Sequence, residues 1–192
     1  ANTSAAYDKI WTKEGSPLIA ISKNQTEALS KVLDMPVALG MRYGSLSIEK
    51  GLKELAEMGV TETLVMPLYP QFAMSSTQTV MNKCKELLCN FPQMTLQVLP
   101  PFYNNNLYID ALAKSIEQET TDDPIEHILF SYHGLPERHI YKTDPTGSHC
   151  AINSICCDEE KVTSDAHEYC YRHQCFNTTK QIVKRLGLIK GS

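Results

Sequence analysis

His133 stands in the stretch Ser131-Tyr132-His133-Gly134-Leu135-Pro136-Glu137-Arg138, directly after the apolar run Ile128-Leu129-Phe130. The run is rich in β-formers and reads as a buried strand that stops where the polar residues gather. In open α/β sheets ligands bind at the carboxyl ends of strands, and a glycine there lets the backbone turn sharply, so His133 is a candidate catalytic residue. The competing reading is a histidine that only closes the strand end. Imidazole exchanges protons near neutral pH and also ligates metals, so His133 suits either a base or an iron-ligating role. Of the other histidines, His127 reads as surface and His139 as a candidate to support His133. His149, His167 and His173 lie among cysteines.

Those cysteines are the second chemical group. Five of seven fall in the last quarter: Cys150, Cys156, Cys157, Cys170 and Cys175. In a reducing compartment such crowding points to metal or redox chemistry rather than a disulfide framework. Cys150, Cys156 or Cys157, Cys170 and Cys175 can make a tetrahedral zinc site, with a histidine able to replace one thiolate. Cysteines that stay reduced and bind nothing are the plainer reading. Neither ferredoxin spacing is matched, so spacing does not separate zinc from iron and sulfur.

The elements that must position these groups alternate. Ser16 and Pro17 open a helix with Leu18, Ile21, Leu29, Val32 and Leu33 at helical period and Gln25 as the polar exception. Residues 37–41 read as a strand closed by Arg42-Tyr43-Gly44. Ser47 then caps a helix that turns Ile48, Leu52 and Leu55 inward and stops at Gly59. A strand over 63–68 ends in Tyr69-Pro70-Gln71, and the next helix carries Val80, Met81, Cys84, Leu87 and Leu88, with Cys84 as a core residue. A strand over 96–99 stops at Pro100-Pro101-Phe102-Tyr103, before an asparagine-rich cap and a helix with Tyr108, Leu112 and Ile116. Residues 145–169 show no period, and Phe176, Thr179, Ile182, Val183 and Leu186 restore a helical stripe that Gly187 closes. Strands alternating with helices at this spacing predict an α/β fold with a parallel sheet and flanking helices.

By construction the strand ends share one edge: Arg42-Tyr43, Tyr69-Pro70-Gln71, Phe102-Tyr103 and His133-Gly134. That edge offers a cation, aromatic faces and one imidazole, with no glycine-rich phosphate loop. It suits a flat apolar ligand with an anionic tail better than a nucleotide, and Arg42, Tyr43, Tyr69 and Gln71 are the candidate substrate contacts. The plainer reading has the aromatics plugging the sheet.

The length, 192 residues, predicts about one domain, and a net charge of -4 gives no attraction to nucleic acid or anionic membrane. No apolar run approaches the ~20 residues of a membrane span, and no signal peptide opens the sequence, so a cytoplasmic location is expected. Ala1 to Tyr7 begins mid-pattern, as a piece of a longer protein would.

The sequence resembles the ferrochelatase family. The resemblance is carried by Gly15-Ser16-Pro17-Leu18 with Gln25, Met41-Arg42-Tyr43-Gly44, Leu64-Val65-Met66-Pro67-Leu68-Tyr69-Pro70-Gln71, Ser75-Ser76-Thr77, and Phe130 to Arg138 with Asp144-Pro145. It implies a chelatase-like fold of two Rossmann-like halves facing a porphyrin cleft. It also implies a lyase that inserts ferrous iron into protoporphyrin IX to make protoheme, in heme biosynthesis. His133 then corresponds to the family's active-site histidine, and Arg42, Tyr43 and Tyr69 line the cleft, with Arg42 pairing a propionate.

The family's first strand and its second half do not appear in this sequence. On this reading residues 1–143 are one chelatase-like α/β half, residues 144–175 a cysteine-bearing insertion, and residues 176–192 a helix leading toward the other half. Some bacterial ferrochelatases look similar in the insertion and hold a [2Fe-2S] cluster, which here would fall to Cys150, Cys157, Cys170 and Cys175 with Cys156 spare. The chain alone is then expected to be inactive, and to self-associate through an open sheet edge or the cleft. The alternatives are a non-catalytic zinc-binding module and a related cobalt or nickel tetrapyrrole chelatase.

Overall fold

The computed structural model describes residues 9–13, 15–121, 126–150, 155–158 and 164–188. The opening stretch over residues 1–7 lies outside the described residues. The fold is α/β, with a parallel two-stranded sheet and flanking helices. The chain divides into two compact units, Ala1–Val65 with Met81–Gln97, and Met66–Val80 with Val98–Ser192.

In the first unit α1 spans Pro17–Val32, with proline at its start as expected, although Ser16 makes no side-chain cap bond. Its apolar stripe does not face a core. Leu18 is 68% exposed and Val32 81%, and Ser22 is the buried residue of the helix, because nothing among the described residues covers that face. Helix α2, Ile48–Glu57, behaves as its sequence predicts. The Ser47 hydroxyl accepts the Lys50 N–H at 3.2 Å, Ile48, Leu52 and Leu55 are buried, and Gly59 turns out of the helix at φ +80. Residues 37–41 approach α2 so closely that a Cβ on Gly51 would stand 3.1 Å from the Leu39 carbonyl oxygen. The strand expected there is reduced to an isolated bridge between Met41 and Ser47, since one bridge does not make a ladder.

Strands β1, Glu62–Val65, and β2, Thr95–Val98, form the sheet, joined through α3, Thr79–Leu87, which buries Cys84 as expected. Both strands alternate exposed and half-buried positions, unlike the doubly covered strands of a closed α/β layer.

The second unit holds α4, Asn106–Glu119, α5, Glu137–Thr143, and α6, Tyr171–Arg185. The Asn105 side chain caps α4 by accepting the Leu107 N–H at 3.0 Å. Helix α4 packs along α6, and Arg185 pairs with Asp110. Residues 128–130 are not a strand, and Leu129 is 93% exposed. A strand requires a hydrogen-bonded neighbour, and none of the described residues supplies one to this run, whatever its β-propensity.

Candidate active site and cysteine-bearing site

The expected substrate and catalytic residues divide between the two units. Arg42 and Tyr43 belong to the first, where the guanidinium lies 4.8 Å over the Tyr43 ring and Tyr43 is 75% exposed. Tyr69, Gln71 and His133 belong to the second.

His133 is exposed on the extended run that leads into α5. Helix α6 fixes this run from beneath: the Tyr132 hydroxyl meets the Thr179 hydroxyl at 2.9 Å. The His133 main-chain N–H also favours the ionised Tyr171 phenol, although burial and then Cys175 push that phenol up to about 12. Tyr69 is partly open to solvent, whereas Gln71 is committed inward, its amide donating to Thr178 Oγ1 at 3.0 Å. His139 lies on α5 with a buried Nδ1 that has no hydrogen-bond partner.

Cys156, Cys157, Cys170 and Ile140 form one buried group, with Cys150 and Tyr171 packed against it. The sulfurs of Cys156 and Cys157 are 3.9 Å apart, and all seven cysteines of the chain are outside disulfides. Cys170 is the N-cap of α6 and its sulfur accepts the His173 N–H at 3.4 Å. A hydrogen bond from the Cys157 thiol holds Cys170 below the ordinary thiol range, helped by main-chain N–H groups and opposed by burial. The same bond, together with burial, pushes the Cys157 thiol up. Cys175 lies inside α6 and is raised to about 11 by burial, against a hydrogen bond from Tyr171.

Three buried thiols with Cys150 packed against them suit a thiolate-bound metal or cluster by donor chemistry. Among the described residues, however, no three Cys, His, Asp or Glu side chains stand at metal-holding geometry.

Three residues hold this region together; the sequence marked Asp144, in the Asp144-Pro145 pair of the family resemblance, but not Gln174 or Thr178. Asp144 accepts four bonds, from the Thr146 N–H at 2.9 Å, the Thr146 hydroxyl at 2.7 Å, the His149 N–H at 2.9 Å and the Cys150 N–H at 2.8 Å. Gln174, wholly buried, accepts the Phe72 N–H at 2.6 Å and donates to the His167 and Glu168 carbonyls at 3.0 and 2.8 Å. Thr178 donates to the Tyr103 carbonyl at 2.8 Å. Residues Asp144-Pro145-Thr146 carry turn chemistry, but nothing local marks Gln174 or Thr178, whose partners Phe72 and Tyr103 are distant in sequence.

A pocket of about 380 Å³ in the second unit is lined by Phe72, Met74, Gln78, Lys142, Thr143, Pro145 and Tyr169. None of the expected substrate residues lines it.

A model of the ferrochelatase family matches residues 1–192. The ferrochelatase of Azotobacter vinelandii is 44% identical over 188 residues, covering 97% of this chain and 55% of that protein. Those of Pseudomonas syringae pv. syringae and Opitutus terrae are each 41% identical, covering 97% of this chain and 54% of theirs. The chain thus spans about half the length of the curated relatives it matches.

Proposed function

Because the chain belongs to the ferrochelatase family, we propose that it forms one part of a lyase that inserts ferrous iron into protoporphyrin IX, in the cytoplasm. The family match across the whole chain carries this reading. Metallation removes two poorly acidic pyrrole protons from inside a flat ring, so a nearby base or metal ligand lowers the barrier. His133 takes that role. Its exposure leaves the imidazole open to substrate, while the clasp of Tyr132 on Thr179 restrains the main chain beside it. Tyr69 offers a partly exposed aromatic face, and Arg42 and Tyr43 form a cation and ring pair able to meet a propionate and a macrocycle face. Gln71 contributes indirectly, by holding the segment after Tyr69 to α6.

Residues 144–175 form a cysteine-bearing insertion on this reading. Cys150, Cys157 and Cys170 supply three thiolates, and the fourth is Cys156, packed in the same group, or Cys175, farther along α6. A [2Fe-2S] cluster there would cross-link a segment whose described residues include no strand ladder.

The test is zinc or ferrous insertion into porphyrin, assayed with this chain alone and with a protein extended to the length of its relatives. The extended protein should turn over and the chain alone should not. His133→Ala in the extended protein should lower turnover by about 10²- to 10⁴-fold with unchanged circular dichroism. Wild-type turnover in that variant would sink the assignment of His133.

A further inference from the structure

Helix α6 carries two adjacent hydroxyls, Thr178 and Thr179, whose partners lie on three segments remote in sequence. Thr178 is buried. Its oxygen accepts the Gln71 side-chain amide at 3.0 Å, and its single proton lies between the Tyr103 carbonyl at 2.8 Å and the Gln174 carbonyl one turn back at 3.0 Å. The two remote segments are also tied to each other, since the Phe102 N–H donates to the Pro70 carbonyl at 3.0 Å. One turn back on the same face, Gln174 accepts the Phe72 N–H at 2.6 Å. The segment that presents Tyr69 is thus fastened from behind through Gln71 and Phe72.

Thr179 serves a different segment. Its half-buried hydroxyl meets that of Tyr132, the residue before His133, at 2.9 Å. Residues 127–136 are in neither helix nor strand, so no ladder among the described residues holds this run, and the clasp on Thr179 ties it to α6.

We propose that Thr178 and Thr179 are positioning residues with separate duties: Thr178 sets porphyrin affinity by fixing the segment that presents Tyr69, and Thr179 sets the rate of proton removal by fixing Tyr132 and, through the main chain, His133. The inference rests on the reading of His133 as the catalytic base and of Tyr69 as a porphyrin contact. A base acts only within hydrogen-bond reach of the proton it takes, so a displaced His133 slows the chemical step. A displaced aromatic face instead weakens ground and transition states alike, which raises KM and leaves kcat.

The test has two arms. In the chain itself, amide hydrogen exchange read by mass spectrometry should quicken over residues 69–73 and 102–104 in Thr178→Val, and over residues 129–135 in Thr179→Val and Tyr132→Phe. In the protein extended to the length of its relatives, Thr178→Val should raise the porphyrin KM about tenfold with kcat held, the worth of one hydrogen bond. Thr179→Val and Tyr132→Phe should each lower kcat about tenfold with KM held. Thr178→Ser and Thr179→Ser keep the hydroxyl and should restore the wild-type values. Thr179→Val combined with Tyr132→Phe should cost no more than either alone, because both delete the same bond. Thr178→Ala and Tyr132→Phe supply the same comparisons should a valine in α6 misfold.

Valine variants with wild-type kcat and KM, or serine variants that fail as badly as valine, would leave these hydroxyls as stabilisers of the fold alone. Equal changes in kcat and KM from both threonines would make α6 a single block and overturn the division. A wild-type extended protein without turnover would sink the activity itself, and the division with it, whatever the exchange pattern.

Discussion

Asp144 closes an Asx turn on Thr146 and, with its other oxygen, collects the main-chain N–H groups of His149 and Cys150. One carboxylate thereby fixes the entry to the cysteine-bearing segment. Burial pushes its carboxyl up, but the bonds from Thr146, Cys150 and His149 outweigh that and hold it at about 2. A folded pKa below the ordinary carboxylate value of about 3.9 adds stability that is complete above that value and is lost as pH falls through about 2. Asp144→Ala should therefore lower stability by about 1 kcal/mol near neutrality, discounted for partial exposure, and should flatten the acid limb of the pH–stability curve. Urea midpoints that fall in parallel for both proteins from about pH 5 to pH 2 would remove Asp144 from that role. The turn was readable from Asp144-Pro145-Thr146; its reach to residues 149 and 150 was not, because those donors follow after the period is lost.

Helix α6 shows why an element can be legible and its face not. The stripe through Phe176 and Ile182 locates the helix, yet Phe176 is half exposed while His173, Gln174, Asn177 and Thr178 are buried with Ile182. Apolar periodicity finds a buried face only where burial is apolar, and here loop carbonyls and N–H groups reward polar side chains instead. Gln174→Ala should cost about 3 kcal/mol, since it strands the buried Phe72 N–H and removes the donor to two carbonyls. Thermal unfolding measures it, and a change within experimental error would show that water replaces the amide. The strand expected over 128–130 failed for a related reason: propensity is local, whereas a strand is a property of a pair. Ser47 and Gly59, whose work is done within a few residues, were read correctly.

At the scale of the molecule, the α/β class and the order of helices were legible because alternation survives the loss of individual strands. The exposures of Leu18, Val32, Leu64 and Leu129 were not legible, since covering a face depends on neighbours that no local pattern names. Open apolar side chains, and the outer strand edges left unpaired among the described residues, favour association, so sedimentation of the purified chain should show a dimer or larger species. A monomer at concentrations of tens of micromolar would show that these faces are tolerated in water.

The discontinuity of the second unit also has a temporal side. Phe72 reaches Gln174 across 102 positions, and residues 81–97, which lie between them in sequence, belong to the other unit. At a synthesis rate of about 5–20 residues per second, the segment around Phe72 leaves the ribosome roughly 5–20 s before the amide that satisfies it. The first unit has all of its chain by residue 97 and can close early. The second unit cannot close until α6 has emerged, and its half-made core is meanwhile within reach of chaperones and proteases.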